Sequence, residues 1–251
     1  MYRLIITTSL LLHTLFAGAQ MWFEIGPRAG ININGYLNSN ISNDDNHDYR
    51  LEQALSYGLV AGLNIGDYHG INLEWMFANN IQQITYYGDT AGNVINKLRW
   101  NTREINVLYR FYSFNGAYVE LGPQFSHIRE LSQTYDNEPV AIDGEYENNY
   151  ISGIFGVGGF LAANDVMTLK IGIRAAYGLT DLVSAKGKTA GFPTYYAPYE
   201  TYKPTRPFRV GISLEMSFGV GGIAKTQCGQ RSLSDNPQKT IELQLNPHLM
   251  I

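Results

Sequence analysis

From Phe208 onward the chain alternates strictly. Phe208, Val210, Ile212, Leu214, Met216, Phe218 and Val220 share one face, while Arg209, Gly211, Ser213, Glu215, Ser217 and Gly219 share the other. A period of two is the signature of a strand with one oily and one polar side. The stretch before it, Met167 to Leu179, repeats the pattern, with Thr168, Lys170, Gly172 and Arg174 on its polar face. The same reading predicts eight strands, at 22–35, 54–66, 70–87, 98–112, 117–131, 149–161, 166–180 and 206–220. Soluble strands typically run about 5 or 6 residues. These approach or exceed the roughly 9 to 11 that a tilted strand needs to cross a bilayer. Asn79, Asn80, Gln82 and Gln83 in the third segment predict a bulge there, or a strand that outruns the membrane.

Connections alternate in length. Gly66–Gly70, Ser113–Gly116 and Ala163–Asp165 are short and rich in turn formers, whereas Leu37–Gln53, Gly88–Lys97, Ser132–Asn148 and Asp181–Thr205 are long. Short turns at one end and long loops at the other predict an all-β fold, an eight-stranded antiparallel up-and-down transmembrane β-barrel. Ahead of it, Tyr2 and Arg3, an apolar run to Phe16 and the small residues Ala17, Gly18 and Ala19 form a signal peptide over residues 1–19. The barrel then occupies 20–220 and a periplasmic tail 221–251. An even strand count returns both termini to the periplasm, with the barrel in a Gram-negative outer membrane.

In lipid every backbone polar group must be paired within the protein, so a spanning sheet must close on itself. Charge then decides which face looks inward. Glu24, Arg28, Glu74, Glu104, Arg110, Glu120, Lys170, Arg174, Arg209 and Glu215 all lie on polar faces. A cation turned toward lipid costs about 2–4 kcal/mol near the midplane. Turned inward, five acids face five bases in an interior just wide enough to be filled by side chains. Asn32, Asn64, Asn72, Asn106, Tyr118 and Gln124 complete this expected plug. Arg174→Met is expected to strand a carboxylate at a cost of about 3–5 kcal/mol. Two aromatic girdles are expected: Trp22, Phe23, Tyr68, Phe111, Tyr112, Phe114 and Phe218 at the turn side, and Tyr36, Tyr57, Tyr86, Tyr87, Trp100 and Phe208 at the loop side.

Composition narrows the function. Only 16% of the 251 residues are charged, below the roughly 25% of ordinary soluble domains. With a net charge of −4 and scattered Lys and Arg, nucleic acid is not an expected partner. The lone Cys228 makes neither an internal disulfide nor a thiolate metal cage. The run WFEIGPRAGININ at Trp22–Asn34, the Gly-rich GIFGVGGF and the eight alternating segments resemble the small outer-membrane barrels of Bacteroidota, the PorT-like relatives of OmpA and OmpX barrels. That resemblance implies a non-enzymatic protein, an accessory subunit of outer-membrane assembly or type IX secretion complexes. The chain departs from the pattern in continuing about 30 residues beyond Phe218, where such barrels commonly end.

Chemistry-bearing residues are few, and no catalytic or metal-binding residue and no cofactor is assigned. Ser126 and His127 are adjacent, so they point to opposite faces of a strand and cannot form a nucleophile–base pair. The acidic loop Ile41–Asp48 lacks the spacing of a calcium loop. The third loop adds Asp136, Glu138, Asp143, Glu145 and Glu147, and the fourth opposes it with Lys186, Lys188, Lys203 and Arg206 among Phe192, Tyr195, Tyr196, Tyr199 and Tyr202. Two readings of the fourth loop stand: it pairs with its acidic neighbours, or Phe192, Tyr195, Tyr196, Tyr199, Tyr202 and Lys203 form an extracellular recognition surface. In the tail, Ile241, Leu243 and Leu245 alternate as an edge strand for a partner. The expected partners are outer-membrane lipid and an envelope protein held by the tail or the loops. A structural or accessory subunit is the first functional reading, a surface adhesin or ligand binder the second, and a lipid-modifying enzyme the third.

Overall fold

The computed structural model describes residues 21–88, 92–164, 166–194, 196–197 and 199–220. Residues 1–19, with the expected signal, and 221–251, with Cys228 and the Ile241, Leu243 and Leu245 strand, lie outside them.

Eight long strands close a barrel: β1 (Met21–Leu37), β2 (His47–Ile65), β3 (His69–Gly88), β4 (Gly92–Tyr112), β5 (Ala117–Tyr135), β7 (Asn149–Ala163), β8 (Met167–Gly178) and β9 (Arg206–Val220). Each pairs antiparallel with its chain neighbour, and β1 pairs with β9 to complete the ring. Closure gives each of these eight strands a partner on both sides. The short β6 (Glu138–Val140) folds back on β5 through Asp136 and Asn137, both at positive φ, as a two-residue hairpin turn requires. The loops hold two short helices, α1 (Ser39–Ser42) and α2 (Ala185–Thr189). Asn38 caps α1 by accepting from the Asn40 N–H, and Ser184 caps α2 through the Gly187 N–H.

Strand parity sets what each face meets. Phe23 is 58% exposed, while Glu24 beside it is 7% exposed. On β3 the exposed face runs Ile71, Leu73, Trp75; on β4 it runs Phe111, Tyr109, Val107, Ile105; on β9, Val210, Ile212, Leu214 and Phe218. The polar face turns inward, so this barrel is greasy outside and polar inside.

The strands outrun their oily band. The β3–β4 ladder continues without a register shift from His69↔Phe111 to Gly88↔Gly92, so the expected 88–97 loop is mostly strand. β2 likewise starts at His47 rather than near 54, and β5 continues to Tyr135. At about 3.3 Å per residue and about 40° of tilt, a 20-residue β3 stands about 50 Å tall, twice the height of a typical oily band. Beyond that band the outer face meets water and loses its apolar signal, which is why the alternation understates strand length. Toward β4 the Asn/Gln run of β3 is a regular ladder, while its pairing with β2 shifts register opposite Ala78–Gln82, between Leu51 and Ser56, the extra residue lying on β2.

Candidate functional site

The lumen is filled in three layers. At the turn end Tyr112, Tyr118 and Phe160 pack together, with the Tyr112 and Phe160 rings stacked at 5.8 Å. Trp22 and Tyr112 therefore point inward and close this end, which removes them from the expected girdle. Phe23, Tyr68, Phe111, Phe114 and Phe218 are on the outer face.

The middle layer is ionic. Glu215 on β9 accepts from Arg28 at 2.9 Å, from Arg110 at 2.9 Å and from Lys170 at 2.9 Å. Lys170 also donates to Glu24 at 2.5 Å. Glu74 accepts from Arg28 and Arg174, and Glu120 from Arg110 and Arg174. Four carboxylates and four cations thus form one neutral cluster, in which every acid but Glu24 meets at least two cations. Arg209 and Glu104 form a separate neutral pair at 2.6 Å. The Arg110 guanidinium lies 4.4 Å over the Tyr118 ring, joining the ionic layer to the turn-end plug. Asn106 donates to Glu74, Gln124 to Glu104 and Asn32 to Ser56, while Asn64 and Asn72 are buried. Ser213, Ser217 and Thr102, which donate to or accept from this layer, share its inward parity. Parity was the only signal that could have found them.

A hollow between Arg28, Asn106 and Arg174 measures about 30 Å³, room for a water molecule or so.

The third layer caps the loop end. Tyr36, Ile41, Ile84, Leu98, Trp100, Tyr146, Tyr150, Leu182, Val183 and Phe192 form one buried apolar cluster. Tyr36 and Trp100, at 0% and 1% exposure, are inside it and leave the expected loop-side girdle. Tyr57, a member of that expected girdle, is on the outer wall with Trp75 and Phe77, its ring stacked on Phe77 at 5.7 Å. The misplacement is a parity error: Trp22 and Tyr36 share the parity of Glu24 and Arg28, and Trp100 and Tyr112 that of Glu104 and Arg110, and nearness to a strand end does not outweigh the face on which each lies.

The fourth loop supplies the lid of this cap. Phe192 packs edge-on against Tyr146 at 5.7 Å, and Tyr196 meets Tyr86 and Tyr135. The Tyr202 hydroxyl donates to Asp181 at 2.8 Å, and Tyr199 donates to Asp44 of the first loop at 3.0 Å. Phe192 is buried, Tyr196, Tyr199 and Tyr202 are half-buried and Lys203 is exposed; Tyr195 lies outside the described residues. The aromatic faces of this loop are thus spent largely on the barrel mouth. Its lysines pair with their neighbours, Lys186 with Glu145 of the third loop at 2.9 Å and Lys188 with Asp181 at 3.0 Å. Asn38 ties the first loop to the fourth by donating to the Lys203 carbonyl and the Thr205 hydroxyl.

One histidine is buried at the rim. His47 Nδ1 lies 2.9 Å from the Asp44 carboxylate and 3.3 Å from the Tyr199 hydroxyl. Its side chain is fully buried among Tyr86, Tyr196 and Tyr199. Burial pulls its pKa below the ordinary value and outweighs Asp44, which favours the charged ring. Burial also opposes ionisation of Asp44, but hydrogen bonds from Asn46, Tyr199 and His47 hold its carboxyl below the usual range. A ring kept neutral by the fold contributes fully above its unfolded value of about 6.5 and loses that contribution as pH falls through the lowered folded value. Limited proteolysis of the fourth loop is therefore expected to quicken as pH falls below about 6.5, and His47→Gln to flatten that dependence.

Two other motifs have simple placements. His127 is on the outer face, with Nδ1 2.8 Å from the Asn149 amide oxygen, while Ser126 points into the lumen. Among the described residues no group of His, Cys, Asp or Glu is placed to hold a metal ion.

No family model and no curated protein matches the chain. Several solved structures share a likeness of fold. OprG, an outer membrane protein from Pseudomonas aeruginosa, is 11% identical, with 80% of this chain and 96% of that one covered at a TM-score of 0.38. Neisserial surface protein A is 14% identical over 79% and 97%, at 0.39. Ail, the attachment invasion locus protein of Yersinia pestis, is 7% identical over 78% and 98%, at 0.37. At these identities and scores nothing of what those proteins do carries over to this chain.

Proposed function

We propose that the protein is an integral outer-membrane barrel that conducts no solute and catalyses no reaction. In this reading it serves as a structural or accessory subunit of an envelope complex, an assembly or type IX secretion machine, with its loops outward and both termini periplasmic. The observation that carries the reading is the apolar wall around a lumen filled from end to end. Such a wall is stable only against hydrocarbon. A filled lumen leaves the outer wall, the rim and the tail as working surfaces. Recognition through the fourth-loop aromatics would first require Phe192, Tyr196, Tyr199 and Tyr202 to leave the mouth.

The test is a mild-detergent pull-down from outer membranes, comparing the full chain with one ending at Val220. Stoichiometric envelope partners that vanish with the tail support an accessory subunit; a barrel recovered alone in both cases overturns it. Independently, the purified full chain in planar bilayers is expected to give no steady conductance steps. Reproducible steps would contradict a filled lumen.

A further inference from the structure

The outer wall carries one basic patch that the lumen and cap do not use. Where the oily band of β4 ends at Ile105, the next outward positions are Arg103, Asn101, Arg99 and Lys97. Across the β4–β5 ladder, Arg103 faces His127 and Arg99 faces Ser132, and Arg129 is exposed on β5. Across β3, Arg103 faces Phe77 and Arg99 faces Ile81. Among the described residues Lys97, Arg99, Arg103 and Arg129 make no salt bridge. The single acid among them, Glu130, is engaged by the Asn101 amide at 2.8 Å.

This placement is specific in height and in direction. The cations begin at Arg103, one outward position beyond Ile105 on β4 and level with the Phe77 ring, and on β5 at Arg129, the exposed position that follows His127 beyond Phe125. On β9 and β8 the corresponding outward positions are Phe208 and Tyr177. The chain as a whole is net negative, so a run of unpaired cations here is not a reflection of composition. The β4–β5 register shifts between Asn101 and Thr102 at the same point, where Arg129 is the extra residue of β5. Beside it lies a surface hollow of about 410 Å³, lined by the polar residues Asn79, Arg99, Asn101, Glu130 and Ser132 together with Ile81 and Leu131. Guanidinium groups suit phosphate oxygens, and amide, hydroxyl and carboxylate groups around a hollow suit sugar hydroxyls.

On the reading of the chain as a membrane barrel, we propose that this patch binds the phosphorylated sugar headgroup of a lipid in the leaflet at the loop end. Arg99, Arg103 and Arg129 hold the phosphate, Asn79, Asn101 and Glu130 contact the sugar, and the acyl chains lie along Phe77, Ile105 and Phe125.

The experiment titrates the refolded full chain in detergent with bisphosphorylated lipid A, with the same lipid lacking its phosphates, and with inorganic phosphate. Bound lipid is counted by native mass spectrometry. The phosphorylated lipid should bind with saturation, the dephosphorylated lipid about tenfold more weakly, and inorganic phosphate should not displace it. Combining Arg99→Gln, Arg103→Gln and Arg129→Gln should weaken binding about tenfold, and the matching Lys substitutions should restore most of it. Folding of each variant is checked by its heat-modifiable migration in phosphatidylethanolamine vesicles. If the triple Gln variant does not fold, the three single Gln variants are titrated instead. Equal binding by the Gln variants, or displacement by inorganic phosphate, overturns the proposal while leaving the barrel reading intact. A chain that yields no folded band in vesicles overturns the membrane reading itself.

Discussion

Replacing Glu215 with Gln is expected to produce the largest destabilisation of any single change in the lumen. Its carboxylate is shared by Arg28, Arg110 and Lys170 and also accepts from the Ser217 hydroxyl at 3.0 Å. All of these groups are buried or nearly so. Gln keeps the volume and one acceptor oxygen but removes the charge, so three cations are left with too few counter-charges. Breaking a buried ion network this way typically costs about 3–5 kcal/mol. The geometry also ranks the other positions. Arg174 binds Glu74 and Glu120, and each of these retains a second cation, from Arg28 and Arg110 respectively. Arg174→Met should therefore fall at or below the lower end of that range rather than span it. Glu24 pairs with Lys170 alone and lies at the edge of the cluster, so Glu24→Gln should cost less again. Urea unfolding in lipid vesicles, read by the heat-modifiable band, measures all three. An order other than Glu215, Arg174, Glu24 would show that the shared carboxylate is not the hub of the network.

The second large effect is expected at Trp100. Its indole is 1% exposed and lies 6.5 Å from the Tyr36 ring, within the cluster that the fourth loop covers. Trp100→Ala removes a large buried side chain from a packed site, which typically costs about 3–5 kcal/mol. The loss should not be uniform. Leu182, Val183 and Phe192 pack into the same cluster from the fourth loop, so that loop loses its seat. The loop is still held by the partly exposed pair of Lys186 and Glu145 and by the buried hydrogen bond from Asn38 to Thr205, both outside that cluster. Cleavage within 184–205 should accelerate far more than cleavage at the turn end, where Tyr112, Tyr118 and Phe160 form an independent cluster. Uniform acceleration would mean that the cap and the barrel unfold as one unit. Even with the cap opened, the ionic layer below remains, so this variant is not expected to conduct.

Period-two alternation and the cost of charge in hydrocarbon are properties of residue order. They are enough to divide each segment into an oily and a polar face and to number the long strands at eight, which the closed ring of β1–β5 and β7–β9 matches. They place Glu74, Arg174 and Glu215 on polar faces without saying what each meets, since the partners lie as far apart in sequence as Arg28 and Glu215. Only ring closure, which seats β1 against β9, brings those two within 2.9 Å. Strand ends were illegible for a related reason. Once the outer wall leaves hydrocarbon, solvent tolerates any side chain on it, and His47–Leu51 or Gly92–Lys97 carry no alternation to read. The fourth loop shows the same limit. Phe192, Tyr196, Tyr199 and Tyr202 suit an exposed recognition surface or a buried lid equally well by residue type. Whether an open mouth stands above the ionic layer for them to fill depends on the diameter and height of the barrel, which no local pattern contains.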